Sequence, residues 1–521
     1  MDYPYLNTVI YDSFYEMLKG RYESSADKIA IRYMSGEKII DITYRELISQ
    51  IASVNTYFRE MNMHDKHIAI LSENRYEYIV IYLAAILDNV VVPIDRELDP
   101  GSISKCLHGF DIDMIFCTDH TALKLNRHEI PAVNIDTDFK PIIDKKANAD
   151  EFFKSASDTD KDRFAVLAST SGTDGTIKGV MLSQYNIIVN VRGTLENNEL
   201  KNPTLAFLPM NHTYGFNPCM LATLYNGTTL CLCNSTDNLM RDIRTFDPYF
   251  FGAVPLIIEN IYDEIIKGIK KKGKEKSFER MLKTSRFFLK FGIDLRHLFF
   301  GNLINRRLRL IVNGGAPLNS ELVGKFDELG ISVLNGYGLS ECSPTVAVSR
   351  SVNNIAGSAG TIMKNIDVRI AEDGEILVKG PNIMLGYYKN EKATNESMCD
   401  GYFATGDIGY TKGRVIFVTG RKKNLIITEK GENIPPEYLE SKICALPYVD
   451  ECLVVLEKSG SNSILKAKIV LKKNEKGKDL KSDISKINQS LPDYMHIEDF
   501  EIMDRKFEKN SSRKIKRNLY R

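Results

Sequence analysis

The chain has 521 residues and a mass of 59.0 kDa, which at about 150 residues per domain predicts three to four domains or subdomains. Hydrophobic residues at 43% and charged residues at 26% exclude global disorder and collagen-like structure, and the length supports a large core without disulfide or metal staples. With 69 basic and 68 acidic residues the net charge is +1, so the chain as a whole is no nucleic-acid or other polyanion binder.

The N-terminal MDYPYLNTVI lacks a basic stretch followed by an apolar one and reads as no signal peptide. Tyr44 to Phe58 has helical periodicity, HIAILSEN (67–74) is a short apolar strand, Arg75 to Leu87 a helix and NVVVPID (89–95) a buried strand. The longest apolar run, Tyr78 to Leu87, is too short for the ~20 residues that span a bilayer and reads as a buried helix. This alternation predicts parallel sheets covered by helices, and it recurs over 204–254. A different segment follows. Lys267 to Lys290 holds ten basic and two acidic residues, a local charge of +8, and leads into the apolar, basic FFLKFGIDLRHLFFGNLINRRL. LRLIVNGG (308–315) is a strand entering a glycine turn. IDVRI and GEILV (365–378) flank Asp373-Gly374 as a hairpin, and GRVIFVTG (413–420) reads the same way. A boundary falls at 420–423, followed by a compact strand and helix alternation of about 100 residues. It ends in a basic tail of charge +7 from Arg505 to Arg521. The nine cysteines form no CxxC pair and read as reduced thiols packed as small hydrophobes, in a reducing, cytoplasmic setting.

The strongest chemical signal is Leu167 to Ser183, LASTSGTDGTIKGVMLS. A strand opens into small and hydroxyl-bearing residues. Gly172 and Gly175 let backbone N–H groups approach an anion, Thr170, Ser171 and Thr173 supply hydroxyl donors, and Lys178 supplies a cation, so the implied chemistry is phosphate gripping. It is not a Walker A loop, because Ile177 and Gly179 stand where that motif needs glycine and Ser/Thr.

This segment resembles the phosphate-binding signature of the adenylate-forming superfamily, which includes acyl-CoA synthetases, luciferases and peptide-synthetase adenylation domains. Seven further motifs follow in the family's order, from about residue 25 to 517 in all. LPMNHTYGF (208–216) is similar to the second motif and places His212 near the acyl and phosphate site. NGGAPL (313–318) resembles the adenine-pocket turn, with Gly314, Gly315, Ala316 and Pro317. NGYGLSE (335–341) resembles the next motif: Asn335, Gly336, Gly338 and Ser340 line the pocket, Tyr337 stacks on adenine, and Glu341 holds Mg²⁺ with Thr170. YFATGD (402–407) implies that Asp407 accepts from both ribose hydroxyls. GRKKNLI (420–426) resembles the family hinge, where Arg421 reaches the ribose and Lys423 is the hinge residue. KGENIPPEYLE (430–440) places Gly431 beside the pantetheine channel. KNSSRKIKR (509–517) aligns Lys514 with the lysine that contacts the carboxylate and the α-phosphate, although Arg513 replaces the family's usual glycine.

The resemblance implies an α/β fold: a large N-terminal body (1–420) of parallel-sheet subdomains plus a β-barrel-like subdomain, and a small mobile α+β C-terminal domain (421–521). It implies an AMP-forming acid–thiol ligase that uses ATP and Mg²⁺. A carboxylate attacks the α-phosphate to give an acyl-adenylate and diphosphate, and a thiol then expels AMP. Lys178, Glu341, Asp407, Arg421 and Lys514 are all in place, which favours an enzyme over a non-catalytic relative that only binds acyl groups or nucleotide. VPLIIENIYDEI (254–265), the insertion after it and GRKKNLIITEKGENIPPE (420–437) resemble the medium- or long-chain fatty acyl-CoA synthetase branch. The absence of Asp between 205 and 236 argues against an amino-acid substrate. The acceptor is free CoA or the phosphopantetheine of an acyl carrier protein, and the sequence leaves both open. It also leaves open whether 264–309 is a solvated insertion or a peripheral contact with the inner membrane surface.

Overall fold

The helix Tyr44–Glu60 starts at a capping box in which Thr43 and Glu46 satisfy each other's backbone, and it buries Leu47, Ile48, Ile51, Val54 and Phe58. Tyr76–Asp88 is apolar around its whole circumference, and every residue from Tyr78 to Leu87 is buried. These helices belong to a computed structural model that describes residues 4–125, 130–145, 147–155, 160–171, 177–233, 235–428, 432–459, 462–472, 479–509 and 515–520. Among them no helix is long and apolar enough to cross a membrane.

One sheet has seven strands. Gly386–Tyr387 at one edge is followed by Ile177–Ser183, Phe164–Ser171, Val90–Pro93, His67–Leu71, Met114–Cys117 and Ala132–Asn134. The strands from Ala132 to Phe164 pair in parallel, as the β-α-β alternation predicts. Phe164–Ser171 and Ile177–Ser183 pair antiparallel, so the chain turns back on itself across the glycine-rich segment.

The second sheet has a parallel half in the order Ile29–Ser35, Leu230–Leu232, Thr204–Ala206, Phe250–Ala253, Leu310–Asn313 and Ser332–Gly338. Ser332–Gly338 changes partner midway. Residues 332–335 run parallel to 310–313, whereas 336–338 pair antiparallel with Thr345–Val348. An antiparallel half continues through Gly360–Ile362, Val415–Arg421, Tyr402–Lys412, Glu375–Lys379 and Asp367–Ile370. The hairpin expected at Asp373-Gly374 is present, with Gly374 at φ +85°.

Residues beyond the hinge motif build their own three-stranded sheet, Val449–Ser459, Asn462–Leu471 and Asp499–Ile502. Helices Pro436–Cys444 and Leu480–Asn488 flank it, and Leu439, Ile443, Val454, Ile469 and Ile484 form a hydrophobic core drawn from this part of the chain alone. The 255–309 insertion contains helices Pro255–Lys271, Glu275–Leu289 and Arg296–Phe300. The nine cysteines are free thiols and seven are buried, as expected for small hydrophobes.

Candidate active site

The register of the seven-stranded sheet sets one end of the site. Thr170 lies opposite Lys178, and Tyr387 pairs with Val180 on the next strand. Tyr387 therefore covers Lys178, whose Nζ is 5.0 Å from the ring centroid. The Tyr387 hydroxyl donates to Glu341 Oε1 at 2.9 Å. Burial, reinforced by Glu341, pushes the Tyr387 pKa up, so the hydroxyl stays a donor at neutral pH. Glu341 sits in the short turn Ser340–Cys342, which is closed by Leu339 N donating to Pro344 O at 2.9 Å. The Ser340 and Thr213 hydroxyls lie 3.2 Å apart, tying this turn to the LPMNHTYGF segment.

That segment is itself pinned from the first sheet. The Asn74 amide donates to Leu208 O at 2.8 Å and accepts from Met210 N at 3.0 Å. The Tyr214 hydroxyl donates to Val312 O at 2.8 Å, and the ring packs so closely on Gly314 that a Cβ there would lie 2.5 Å from Cζ. His212 faces the cleft. The surrounding protein desolvates it and lowers its pKa below the ordinary 6.5, and nearby Asp95 only partly offsets this. A depressed imidazole contributes stability that is present above the ordinary value and lost as pH falls through the folded one. The His212 ring is therefore expected to titrate below 6.5 in an NMR pH series; a midpoint at or above that value would contradict its desolvation.

The other end is set by the antiparallel sheet. Asp407 and Arg421 are register partners on adjacent strands, and Arg421 Nε is 2.7 Å from Asp407 Oδ1. Asp407 Oδ2 accepts from the Tyr337 hydroxyl at 2.8 Å, and burial together with Asp407 holds that phenol well above its ordinary pKa. Behind them Glu375 accepts from Gly406 N at 2.8 Å and from Lys422 Nζ at 2.6 Å, while Lys422 also pairs with Asp373 at 2.6 Å.

A cleft of about 2280 Å³ joins these ends. Of the residues singled out in the sequence, Thr170, Lys178, His212, Gly314, Gly315, Ala316, Gly336, Tyr337, Gly338, Ser340, Glu341 and Arg421 all line it. Asp407 is buried behind Tyr337 and Arg421, and Asn335 supports the wall by donating to Ser358 O at 3.2 Å. Pro317 and Lys423 are not on the lining. Gly172, Thr173, Gly175, Gly431 and Lys514 lie outside the described residues, and of Ser171 only the backbone is described. The residues flanking the last of these segments, Lys509 and Ile515, form an antiparallel bridge, and Lys509 lines the cleft while paired with Glu451 at 2.6 Å. Leu208, Tyr214, Leu239, Met240, Val254 and Ile257 add apolar side chains to the lining. Sequence reading did not single out Tyr387, Asn74 or Glu375.

For a cation, the chemistry on offer is oxygen: the Glu341 carboxylate and the Thr170 hydroxyl. No cluster of three His, Cys, Asp or Glu able to hold a metal exists among the described residues. This donor set fits a hard ion that takes one or two protein oxygens and fills its shell from phosphate and water.

The family model for AMP-binding enzymes matches residues 19–388. The chain belongs to the AMP-binding enzyme family, and the expected resemblance holds. It is 32% identical over 316 residues to the long-chain-fatty-acid–CoA ligase FadD15 of Mycobacterium bovis, covering 56% of this chain and 52% of that one. It is 26% identical over 472 residues to the peroxisomal long chain acyl-CoA synthetase 7 of Arabidopsis thaliana, covering 79% and 66%. The chain thus spans about half to two thirds of the length of these relatives. Among solved structures, o-succinylbenzoate CoA synthetase of Bacillus subtilis with its acyl-adenylate intermediate superimposes at a TM-score of 0.74, with 22% identity over 97% of this chain and 98% of that one. That likeness carries the α/β fold expected from the sequence.

Proposed function

We propose that the protein activates a carboxylic acid with an apolar acyl chain, using ATP to form an acyl-adenylate and then a thiol to form a thioester, with CoA as the acceptor. The carrying observation is that one cleft is lined by Thr170, Lys178 and Glu341, by Tyr337 and Arg421, which both hold the buried Asp407, and by apolar side chains such as Leu208, Met240 and Ile257. The names of the matched fatty acyl-CoA ligases support the same substrate class.

The chemical problem of the first step is an anionic carboxylate meeting an anionic phosphate. It calls for positive potential and alignment rather than a base, because a carboxylic acid is already ionised at pH 7. Lys178 and the Thr170 hydroxyl would grip phosphate. Glu341 and Thr170 would hold Mg²⁺, which supplies charge neutralisation. Tyr387 would keep Glu341 and Lys178 in register from the side. Arg421 and Asp407 would bind the ribose and Tyr337 the base, with Asp407 already oriented by both partners. Lys514 would reach the carboxylate and α-phosphate for this step, and rotation of the 421–521 domain about Lys423 would replace it with the thiol path past Gly431.

ATP–pyrophosphate exchange across a panel of aliphatic and aromatic acids tests the first step. AMP release driven by CoA, set against release driven by a phosphopantetheinylated carrier protein, tests the second. Absence of exchange with every aliphatic acid would overturn the substrate class, and preference for the carrier protein would overturn the acceptor. Lys514→Ala is expected to slow exchange on the order of a hundredfold, the usual cost of one preorganised charge donor, while sparing thiolysis of supplied acyl-adenylate.

A further inference from the structure

Helix Glu275–Leu289 has an inner side and a bare end. Phe278, Met281 and Leu282 pack on the core around Ile265 and Phe300, and Ser285 is its buried residue. From Arg286 to Asp294 every residue is exposed. Phe287 is 57% exposed, Phe291 68% and Ile293 48%. The Phe287 ring centroid lies 5.2 Å from that of Phe291 and 5.6 Å from that of Phe288, so this is one aromatic cluster in water rather than scattered side chains. The cations around it are unspent. Of the ten basic residues between 267 and 290, only Lys267 and Arg286 stand in salt bridges among the described residues, to Glu264 and Glu328. The nearest acid on the C-terminal side, Asp294, pairs with Arg296 at 2.8 Å, which holds it at about 2, so it remains charged but matched.

We infer that the end of helix Glu275–Leu289 and the turn after it dock on an anionic lipid bilayer. Phe287, Phe291 and Ile293 enter the headgroup boundary, and Lys283 and Lys290 face lipid phosphates. Basic side chains around an exposed aromatic tip complement such a surface in both respects: the charge meets anionic headgroups and the apolar tip meets acyl chains. An acidic protein would answer the charge and leave the phenylalanines in water. The same insertion begins with helix Pro255–Lys271, whose Leu256, Asn260 and Glu264 line the cleft. On the proposed acid-activating function, the docked face would place the cleft beside the phase in which apolar acids dissolve.

Co-sedimentation of the full chain with vesicles tests this. At low ionic strength the protein is expected to pellet with vesicles of phosphatidylcholine and phosphatidylglycerol and not with phosphatidylcholine alone, and added salt should release it. Lys283→Gln and Lys290→Gln should each weaken partitioning roughly fivefold, as about 1 kcal/mol per interfacial cation gives. The double variant F287S/F291S should weaken it at least tenfold with an unchanged thermal melt. No pelleting of the unaltered chain at low salt overturns the inference. So does binding that ignores both sets of substitutions, and so does binding that responds to the lysines but not the phenylalanines, which would indicate an acidic partner instead. Vesicle binding needs no turnover and pyrophosphate exchange needs no vesicle, so failure of one leaves the other standing.

Discussion

Gly338→Ala is expected to slow acid activation on the order of a hundredfold and to lower the thermal unfolding midpoint. A Cβ at this position would stand 1.9 Å from the carbonyl oxygen of Pro344 and 2.7 Å from its carbon. Both are backbone atoms of the residue that leads into the facing strand, so no side chain can swing aside. The same carbonyl accepts from Leu339 N at 2.9 Å, the bond that closes the turn bearing Glu341. Admitting a methyl group means prising apart Ser332–Gly338 and Thr345–Val348 where they leave that turn. Overpacking of this kind costs about 1–3 kcal/mol. The functional loss is larger, because both ends of the cleft hang on this strand. Tyr337, which holds Asp407, precedes Gly338 directly, and Glu341, which Tyr387 bridges toward Lys178, follows three residues on. A displacement of about 1 Å in such positioning costs on the order of a hundredfold in rate. Gly336→Ala is the internal control for packing: its Cβ meets nothing nearer than Asn313 O at 3.5 Å, so the thermal midpoint should be unchanged. Pyrophosphate exchange and a thermal melt on both variants decide the matter, and a Gly338→Ala protein with full exchange would refute a site built on this close approach.

Thr170, Gly336, Gly338 and Ser340 of the cleft lining were legible because their chemistry is written in short contiguous runs. LASTSGTDG and NGYGLSE each declare close backbone approach and polar donors within a few residues, and order along the chain did the rest. Helix Tyr76–Asp88 was legible for a similar reason, since a run of ten apolar residues leaves little alternative to burial. Tyr387 was not legible. Its role depends on a two-residue edge strand pairing with Ile177–Ser183, a partner far away in sequence, and nothing local in GYY distinguishes a bridging tyrosine from a packed one. Asn74 looked like a strand-end turn residue, which it also is, and only the tertiary fold brings its amide to Leu208 and Met210. Glu375 was hidden in a hairpin signal: GEILV announced the strand, but not that its first carboxylate would face Lys422 and Gly406. Asp407 shows the converse. The motif named the residue, while its contact with Arg421 emerged only from sheet register and that with Tyr337 only from the tertiary fold.

Lys423→Pro is expected to separate the two half-reactions. On its body side Lys422 is held by two carboxylates, Asp373 and Glu375, each at 2.6 Å, and Glu375 is in turn fixed by Gly406 N. On its other side the Asn424 amide donates to Glu437 Oε1 at 2.5 Å, at the start of helix Pro436–Cys444. If the parts before and after Lys423 rotate against each other, as the proposed two-step reaction requires, Lys423 lies between these two anchors and would take up torsion change. Proline fixes φ near −65° and removes the N–H, so it locks that residue in whichever state the ring tolerates. If the locked state is the adenylating one, pyrophosphate exchange stays near the unaltered rate while thioester formation falls roughly a hundredfold, about 2.7 kcal/mol on its barrier. Single-turnover assays read the two steps separately: one follows acyl-adenylate from acid and ATP, the other thioester from supplied acyl-adenylate. An equal fall in both would mean that the substitution disturbs the Lys422 anchor rather than a hinge. Loss of exchange with thiolysis intact would mean that the ring locks the thiol-accepting state, and Lys423 would still be the residue about which the two states turn.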